Sequence, residues 1–436
     1  MSRSTASALA ASPVSGPART PEWSRIPVAL LVLCGALFAL WRVTVLGLAE
    51  HHVASGRSAQ ALQWLPDHPR ALENEAAALI EAGGDREAAL ALLRRAIAQN
   101  PARGTTHGLV GAIQVEQGDL EAAERSLDKA VRLKPAGVDL RLAAAALALQ
   151  RGELLTALQH WDVALSRRGS LRQTLFPTLL EYLAVAEHRS AFAALARTGR
   201  LSWWPAFVAH AAAKAKRLET VAALYDLSYE SEHNRLSGHA LGAVLRRLQQ
   251  DGFWLDSRLA WMDSLPDEQL DGMGNVFNGG FEYPISDVGF DWIRARAGHI
   301  LVESAPTFGM TGNAALHVLF RGPRVQFRHL SQWLMLAPGD YLLKGRVRVD
   351  GLEAEPGVMW TIACLGKRET RIGQSAHFKG RGPWRGFEAG FAVPEADCPA
   401  QVLRLQLDGR VALDFEAKGS IWFDDLAVVP GKGMQN

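Results

Sequence analysis

Six cationic side chains, Arg321, Arg324, Arg328, Lys344, Arg346 and Arg348, crowd one short stretch of the C-terminal third, a spacing able to face an acidic polymer such as a charged polysaccharide. Trp292, Trp333 and Trp384 lie in the same third and offer planar faces for stacking or for packing. From residue 272 onward, however, 18 Lys or Arg balance 17 Asp or Glu, so a solvated sheet face accounts for most of these charges. Catalytic patterns are missing: there is no phosphate-cradling Gly-rich loop, dinucleotide fingerprint, His-Glu-x-x-His, Cys-x-x-Cys or Gly-x-Ser-x-Gly. A carboxylate pair for glycoside hydrolysis stays open, because such residues can meet only in the fold. A net charge of +2 on 436 residues argues against a dedicated nucleic-acid binder.

These residues need strands to position them. After Pro266 clusters of Gly, Asn and Asp give way to short runs of period two. Tyr341, Leu343, Val347 and Val349 point one way, and Lys344, Arg346 and Arg348 the other. Leu403, Leu405 and Leu407 oppose Arg404 and Gln406. Trp384 falls opposite Phe387, Phe391 and Val393, while Trp292 and Trp333 sit at strand or loop edges. With further runs at 314–320, 324–335, 357–365, 384–393 and 420–428, about eight strands are expected, as an antiparallel β-sandwich or jelly roll over 272–430.

The region opens with Asn278, Gly279, Gly280, Phe281 and Glu282, adds Phe290, Asp291 and Trp292, and closes with Ile421, Trp422, Phe423, Asp424 and Asp425. These bookends resemble those of carbohydrate-binding-module jelly rolls, the galactose-binding-like sandwiches. The resemblance implies that the first and last strands lie together and hold a structural calcium through Glu282, Asp424 and Asp425; the alternative is that Asp424 and Asp425 cap the strand end. No other cofactor is implied. It also implies glycan binding by aromatic faces with polar neighbours, here Trp292 and Trp384 with Arg346 and Arg348, against core packing or interdomain contact for each tryptophan.

Upstream, Gly84, Gly118 and Gly152 are spaced by 34 residues, each followed by an acidic residue and an Ala-rich run. Ala89, Ala123 and Ala157 keep the phase, as do Leu93, Leu127 and Trp161, and Ala96, Ala130 and Ala164, with Pro101 and Pro135 closing two units. This pattern resembles the tetratricopeptide repeat and implies an all-α solenoid that binds protein. Its extent is 53–265, with clear repeats over 70–171 and degenerate ones after, where Trp203, Trp204 and Trp254 pack against the next domain or form a ligand platform. In that register the groove is lined by Asn74, Ala78, Thr105, Ala112, Leu142 and Ala146, a small, weakly polar surface suited to an apolar helix or an extended peptide.

Residues 1–25 read as a disordered Ser/Ala/Pro-rich cytoplasmic leader. Ile26–Trp41 is uncharged and mostly apolar, and the run resumes after Arg42, so a transmembrane signal anchor over 26–49 is expected, with Arg42 snorkelling. Arg3, Arg19 and Arg25 before it place the N-terminus in the cytoplasm. A signal peptide cut after Gly47 and Ala49, or a buried core helix, are the alternatives. Cys34 lies in this segment, leaving Cys364 and Cys398 either reduced in separate strands or, after export, joined in a disulfide contributing roughly 3 kcal/mol.

The chain thus reads as a non-enzymatic scaffold of the bacterial inner membrane, single-pass, its bulk in the periplasm. The helical arm would hold envelope proteins and the jelly roll a polysaccharide, an architecture similar to repeat proteins of exopolysaccharide synthesis and export. The alternatives are an envelope polysaccharide lyase or hydrolase, and an assembly factor that binds no sugar. No nucleic-acid partner is expected.

Overall fold

The computed structural model describes residues 25–271, 273–295, 298–322, 327–407 and 416–431. The leader before Arg25, and Arg324 of the basic stretch, lie outside them. The chain divides into two compact units, Met1–Gly152 and Glu153–Asn436.

Helix α1 (Arg25–Ala54) opens the first unit and is followed by α2 (Ser58–Trp64), α3 (Pro69–Glu81), α4 (Arg86–Gln99), α5 (Gly104–Glu116), α6 (Leu120–Leu133) and α7 (Val138–Gln150). Among the described residues α1 is the one helix long and apolar enough to cross a membrane, over Ala29–Ala54 with a mean hydropathy of 2.2. Leu30, Leu31, Phe38, Trp41 and Val43 are exposed, whereas Val45, Ala49 and Val53 are buried, Val53 against Ala61 of α2 and Ala71 of α3. One face of the last turns of α1 is therefore protein core, while Val43 and Leu46 beside it stay exposed. Glu50 meets His68 at 3.1 Å and Arg70 at 3.5 Å, fixing this joint.

The repeat grammar has a local cause. Gly83, Gly118 and Gly152 have φ of 67°, 80° and 77°, the left-handed position one residue past a helix end. The first turn thus uses Gly83 where the 34-residue spacing marks Gly84, because the α3–α4 connection is one residue longer. The acid after each turn is an N-cap in two cases: Asp85 accepts the Glu87 amide at 2.9 Å and Asp119 that of Ala122 at 3.0 Å. Ala89, Leu93, Ala96, Ala123, Leu127 and Ala130 are buried, as their phase requires.

In the second unit α8 (Leu154–Arg167), α9 (Arg172–Ala184), α10 (Arg189–Arg197), α11 (Trp204–Lys214), α12 (Leu218–Tyr229), α13 (Gly238–Gln250), α14 (Trp254–Met262) and the short α15 (Asp267–Asp271) continue the helical pattern. Trp203 and Trp204 are wholly buried, packed with Phe207, and donate to Asp162 and Ser228, so neither is a platform.

Among the described residues ten strands follow: β1 (Ile293–Arg294), β2 (Ile300–Ala305), β3 (Ala315–Gly322), β4 (Leu330–Leu334), β5 (Gly339–Ala354), β6 (Val358–Leu365), β7 (Glu369–Gln374), β8 (Gly380–Val393), β9 (Gln401–Leu407) and β10 (Ala417–Pro430). They form two antiparallel sheets, β1-β4-β9-β6-β7 and β2-β3-β10-β5-β8. Without β1 and β2 the order is that of a jelly roll. Between the sheets lie Trp292, Trp360, Phe281, Phe378, Phe423 and the inward residues Leu343, Val347, Val349, Leu403 and Leu405. Cys364 and Cys398 are joined in a disulfide.

The opening Asn278–Glu282 segment is a turn and not a strand, because Asn278 and Phe281 hold φ of 49° and 59°. It lies against the end of β10: Leu426 donates to Gly279 O at 2.9 Å, so tightly that a Cβ on Gly279 would meet Leu426 O at 1.9 Å.

Candidate functional site

The outer face of the β2-β3-β10-β5-β8 sheet collects the chemistry. Register sets Glu303 of β2 opposite His317 of β3, His317 opposite Trp422 of β10, and Trp422 opposite Arg348 of β5. The side chains stack in that order. The His317 ring lies flat on Trp422, centroids 4.0 Å apart and planes 12° from parallel, and its Nδ1 is 3.3 Å from Glu303 Oε1. The Arg348 guanidinium sits 5.1 Å from the Trp422 ring and 5.5 Å from the Trp384 ring of β8, and Arg346 lies 5.1 Å from Trp384. Asp350 closes the row, accepting from Trp422 Nε1 at 3.1 Å and Arg348 at 2.9 Å.

A loop between β2 and β3 lies along this row. Phe308 O accepts from Trp384 Nε1 at 2.9 Å and from Arg348 at 3.1 Å, Gly309 O from Arg346 at 2.8 Å, and Thr311 Oγ1 from Arg346 at 2.7 Å. Gly309 allows the approach, since at φ 78° a Cβ would meet Trp384 at 2.9 Å. The Phe308 ring itself is 94% exposed beside the half-buried Trp384. The result is a fixed edge of two aromatic rings and two guanidinium groups, with Arg348 Nε buried and lacking a hydrogen-bond partner.

The three carboxylates expected to hold calcium do converge, but on the backbone of this loop. Both Glu282 oxygens accept from the Asn313 amide, at 3.0 and 2.9 Å. Asp424 accepts from the amides of Thr311 and Asp425 at 2.7 and 2.8 Å, and Asp425 accepts from the Thr311 hydroxyl at 2.7 Å. Burial pushes the Asp424 carboxyl above the usual carboxylate range, with the neighbouring Asp425 charge adding to it and the two amides and Arg346 opposing. Each of the three carboxylates is thus engaged by donors of the loop, and among the described residues no group of three or more His, Cys, Asp or Glu is arranged to hold a metal ion. They anchor the loop that frames the row.

Trp292, a glycan candidate in the sequence, belongs to the core. It is wholly buried, stacks on Phe281 at 5.3 Å and donates through Nε1 to Asn278 O at 3.0 Å. Trp384, Arg346 and Arg348 are brought together on the outer face of the sheet. The residues that sequence reasoning missed are Trp422, His317 and Phe308. Trp422 is buried too, but its parity opposite the core residues Ile421 and Phe423 was the available signal for the first.

In the first unit Asn74, Ala78 and Ala146 are exposed, and Thr105, Ala112 and Leu142 half-buried. Asn74 donates to Ser58 at 3.0 Å, and Thr105 to Glu73 at 3.0 Å. Glu73 is buried and also held by Arg103 at 2.6 Å and by Thr106. Burial pushes its carboxyl up, and the hydrogen bonds from Arg103, Thr106 and Thr105 outweigh that, leaving it below the usual range.

No protein-family model matches the chain, and no curated protein matches it. Among solved structures it is similar to a carbohydrate-binding module described under "CBM4 structure and function" (16% identity, 36% of this chain and 99% of that one, TM-score 0.28). It is similar also to the TmCBM61 module in complex with beta-1,4-galactotriose (16% identity, 37% and 100% covered, TM-score 0.26). A third likeness is to MamA from residue 41 to its end, from Desulfovibrio magneticus RS-1 (22% identity, 29% and 69% covered, TM-score 0.24).

Proposed function

We propose that the chain is a non-enzymatic, membrane-tethered adaptor of the bacterial envelope, whose helical arm holds protein partners and whose β-sandwich binds an acidic polysaccharide of the exopolysaccharide type. The observation that carries the glycan reading is the edge formed by Trp384, Phe308, Arg346 and Arg348. An aromatic face covers the apolar C–H face of a pyranose, and a guanidinium fork pairs with a uronate carboxylate. Tethering is supported by the burial of Ala49, since a cut after that residue would remove helix turns that are part of the unit's core. The orientation follows Arg3, Arg19 and Arg25, which precede the apolar run of α1.

A second reading, an assembly factor that binds no sugar, draws support from the loop. The Trp384 N–H and several guanidinium donors already have carbonyl partners there. Calorimetric titration of the full chain in detergent against the host's exopolysaccharide separates the two. Saturable binding lost in Trp384→Ala supports the glycan reading. A folded protein with no heat of binding supports the assembly factor.

A further inference from the structure

Between α12, α13 and α14 of the second unit runs an open groove of about 910 Å³ that neither the strand chemistry nor the expected repeat groove accounts for. Its floor and walls are apolar: Leu218, Ala222 and Tyr225 from α12, Val244 and Leu248 from α13, Leu259 and Ala260 from α14, with Phe253 at the entry to α14. Phe253 and Leu259 are 47% and 50% exposed, and Leu255, one turn before Leu259, is 60% exposed. Three large apolar side chains this close together on the surface of a folded unit mark a contact surface.

The rim is acidic. Glu219, Asp226, Asp251, Asp256 and Asp263 line the groove, and no lysine or arginine does. Arg217 pairs with Glu219 at 3.3 Å and Arg247 with Asp251 at 2.7 Å. Asp226, Asp256 and Asp263 make no ion pair among the described residues. Burial, with Glu230 nearby, pushes the Asp226 carboxyl up, so the unit carries this charge against its own stability. The groove is lined by α12, α13 and α14, and none of its residues belongs to the expected repeat groove on α3, α5 and α7.

The geometry points to this groove as a docking site for a basic amphipathic helix of a partner protein, its apolar face on Leu259, Phe253 and Tyr225 and its Lys or Arg residues over Asp226, Asp256 and Asp263. An apolar trough with a rim of unpaired carboxylates is the complement of such a helix, and it disfavours acidic or uncharged segments. The inference rests on reading the helical arm as a protein-binding element, and it uses no residue of the sheet face.

The test titrates the full chain in detergent with labelled peptides of about 14 residues, roughly 21 Å of helix. One is a Leu/Lys amphipathic helix, one its Leu/Glu counterpart, and one a Leu/Lys scramble of the same composition. The Leu/Lys helix is expected to bind saturably in about the micromolar range, more weakly as salt rises. The combined variant Asp226→Asn, Asp256→Asn and Asp263→Asn, all on exposed positions, should lose about tenfold, and Leu259→Ser a similar factor. Equal binding of helix and scramble, or no saturable binding of the helix, overturns the proposal. Undiminished binding to the triple variant overturns this groove while leaving the arm a protein-binding element. Self-association of the free chain that the triple variant abolishes, with no competition from the peptide, would assign the groove to a second copy and also overturn it.

Discussion

The two outer faces of the sandwich carry tryptophans at equivalent outward positions and treat them in opposite ways. On the β1-β4-β9-β6-β7 sheet, Trp333 packs edge-on against Trp254 of α14 and Phe290, at 6.2 Å from each, and Arg258 of α14 reaches Met335 O at 3.5 Å. On the other sheet Trp384 is half-buried beside two guanidinium groups, and Trp422 is buried between the His317 ring and the Arg348 guanidinium. The same period-two alternation thus yields a helix-docking face on one side and a cationic, aromatic face on the other. What differs is the partner, and the partner decides whether an outward indole is structural or available.

The comparison breaks most visibly if a tryptophan assigned to packing proves dispensable. Trp292→Ala empties a site in the shared core and should cost about 3–5 kcal/mol in urea unfolding of the full chain. Replacing Cys364 and Cys398 together by Ser frees the end of β6 on the covered sheet and should cost about 2–4 kcal/mol by the same measurement. Trp384→Ala, on the open face, should stay within about 1 kcal/mol, because its indole is half-buried and touches flexible guanidinium groups.

A smaller effect sharpens the contrast by its sign. On the covered sheet the Arg404 hydrogen bond holds the Glu369 carboxyl below its usual range, against burial. That contribution is present above the unfolded carboxylate pKa and is lost as pH falls through the lowered folded value. On the open sheet burial raises Asp424, so its contribution is favourable at low pH and is lost as pH rises through the raised folded value. Thermal midpoints from pH 7 downward should therefore show Glu369→Gln costing a few tenths to about 1 kcal/mol at neutral pH and nothing in acid. Asp424→Asn should flatten the pH profile in the opposite direction.

The legible part of this fold was the part fixed by local rules. The 34-residue phase and the alternation in β5 and β9 follow from neighbours in sequence and reappear as helices and inward faces, and of the acids after the turns Asp85 and Asp119 become N-caps. β1, β2 and β7 escaped notice: β1 has two residues, and β7 is a polar edge strand, Glu369–Gln374, with little inward burial to pattern it. Gly84 and Gly83 could not be told apart, because connection length shows only in the backbone. Within the site, Trp384, Arg346 and Arg348 shared a legible outward parity. Trp292 did not reveal its burial, since it lies in a turn segment whose inward position depends on contacts with Phe281 and Trp360, far apart in the chain. The carboxylates Glu282, Asp424 and Asp425 were placed together correctly, but the amides they bind belong to a loop that no motif identified.

The most direct test of the open face is to titrate the full chain with a uronate-containing polysaccharide and a neutral one of matched length, comparing the parent with Trp384→Ala and with Arg346→Gln, Arg348→Gln. The account predicts saturable binding of the acidic polymer that weakens with salt and falls by about tenfold or more in both variants while their unfolding transitions persist. Acidic-polymer binding that both folded variants retain in full, or no binding by the parent, would contradict it.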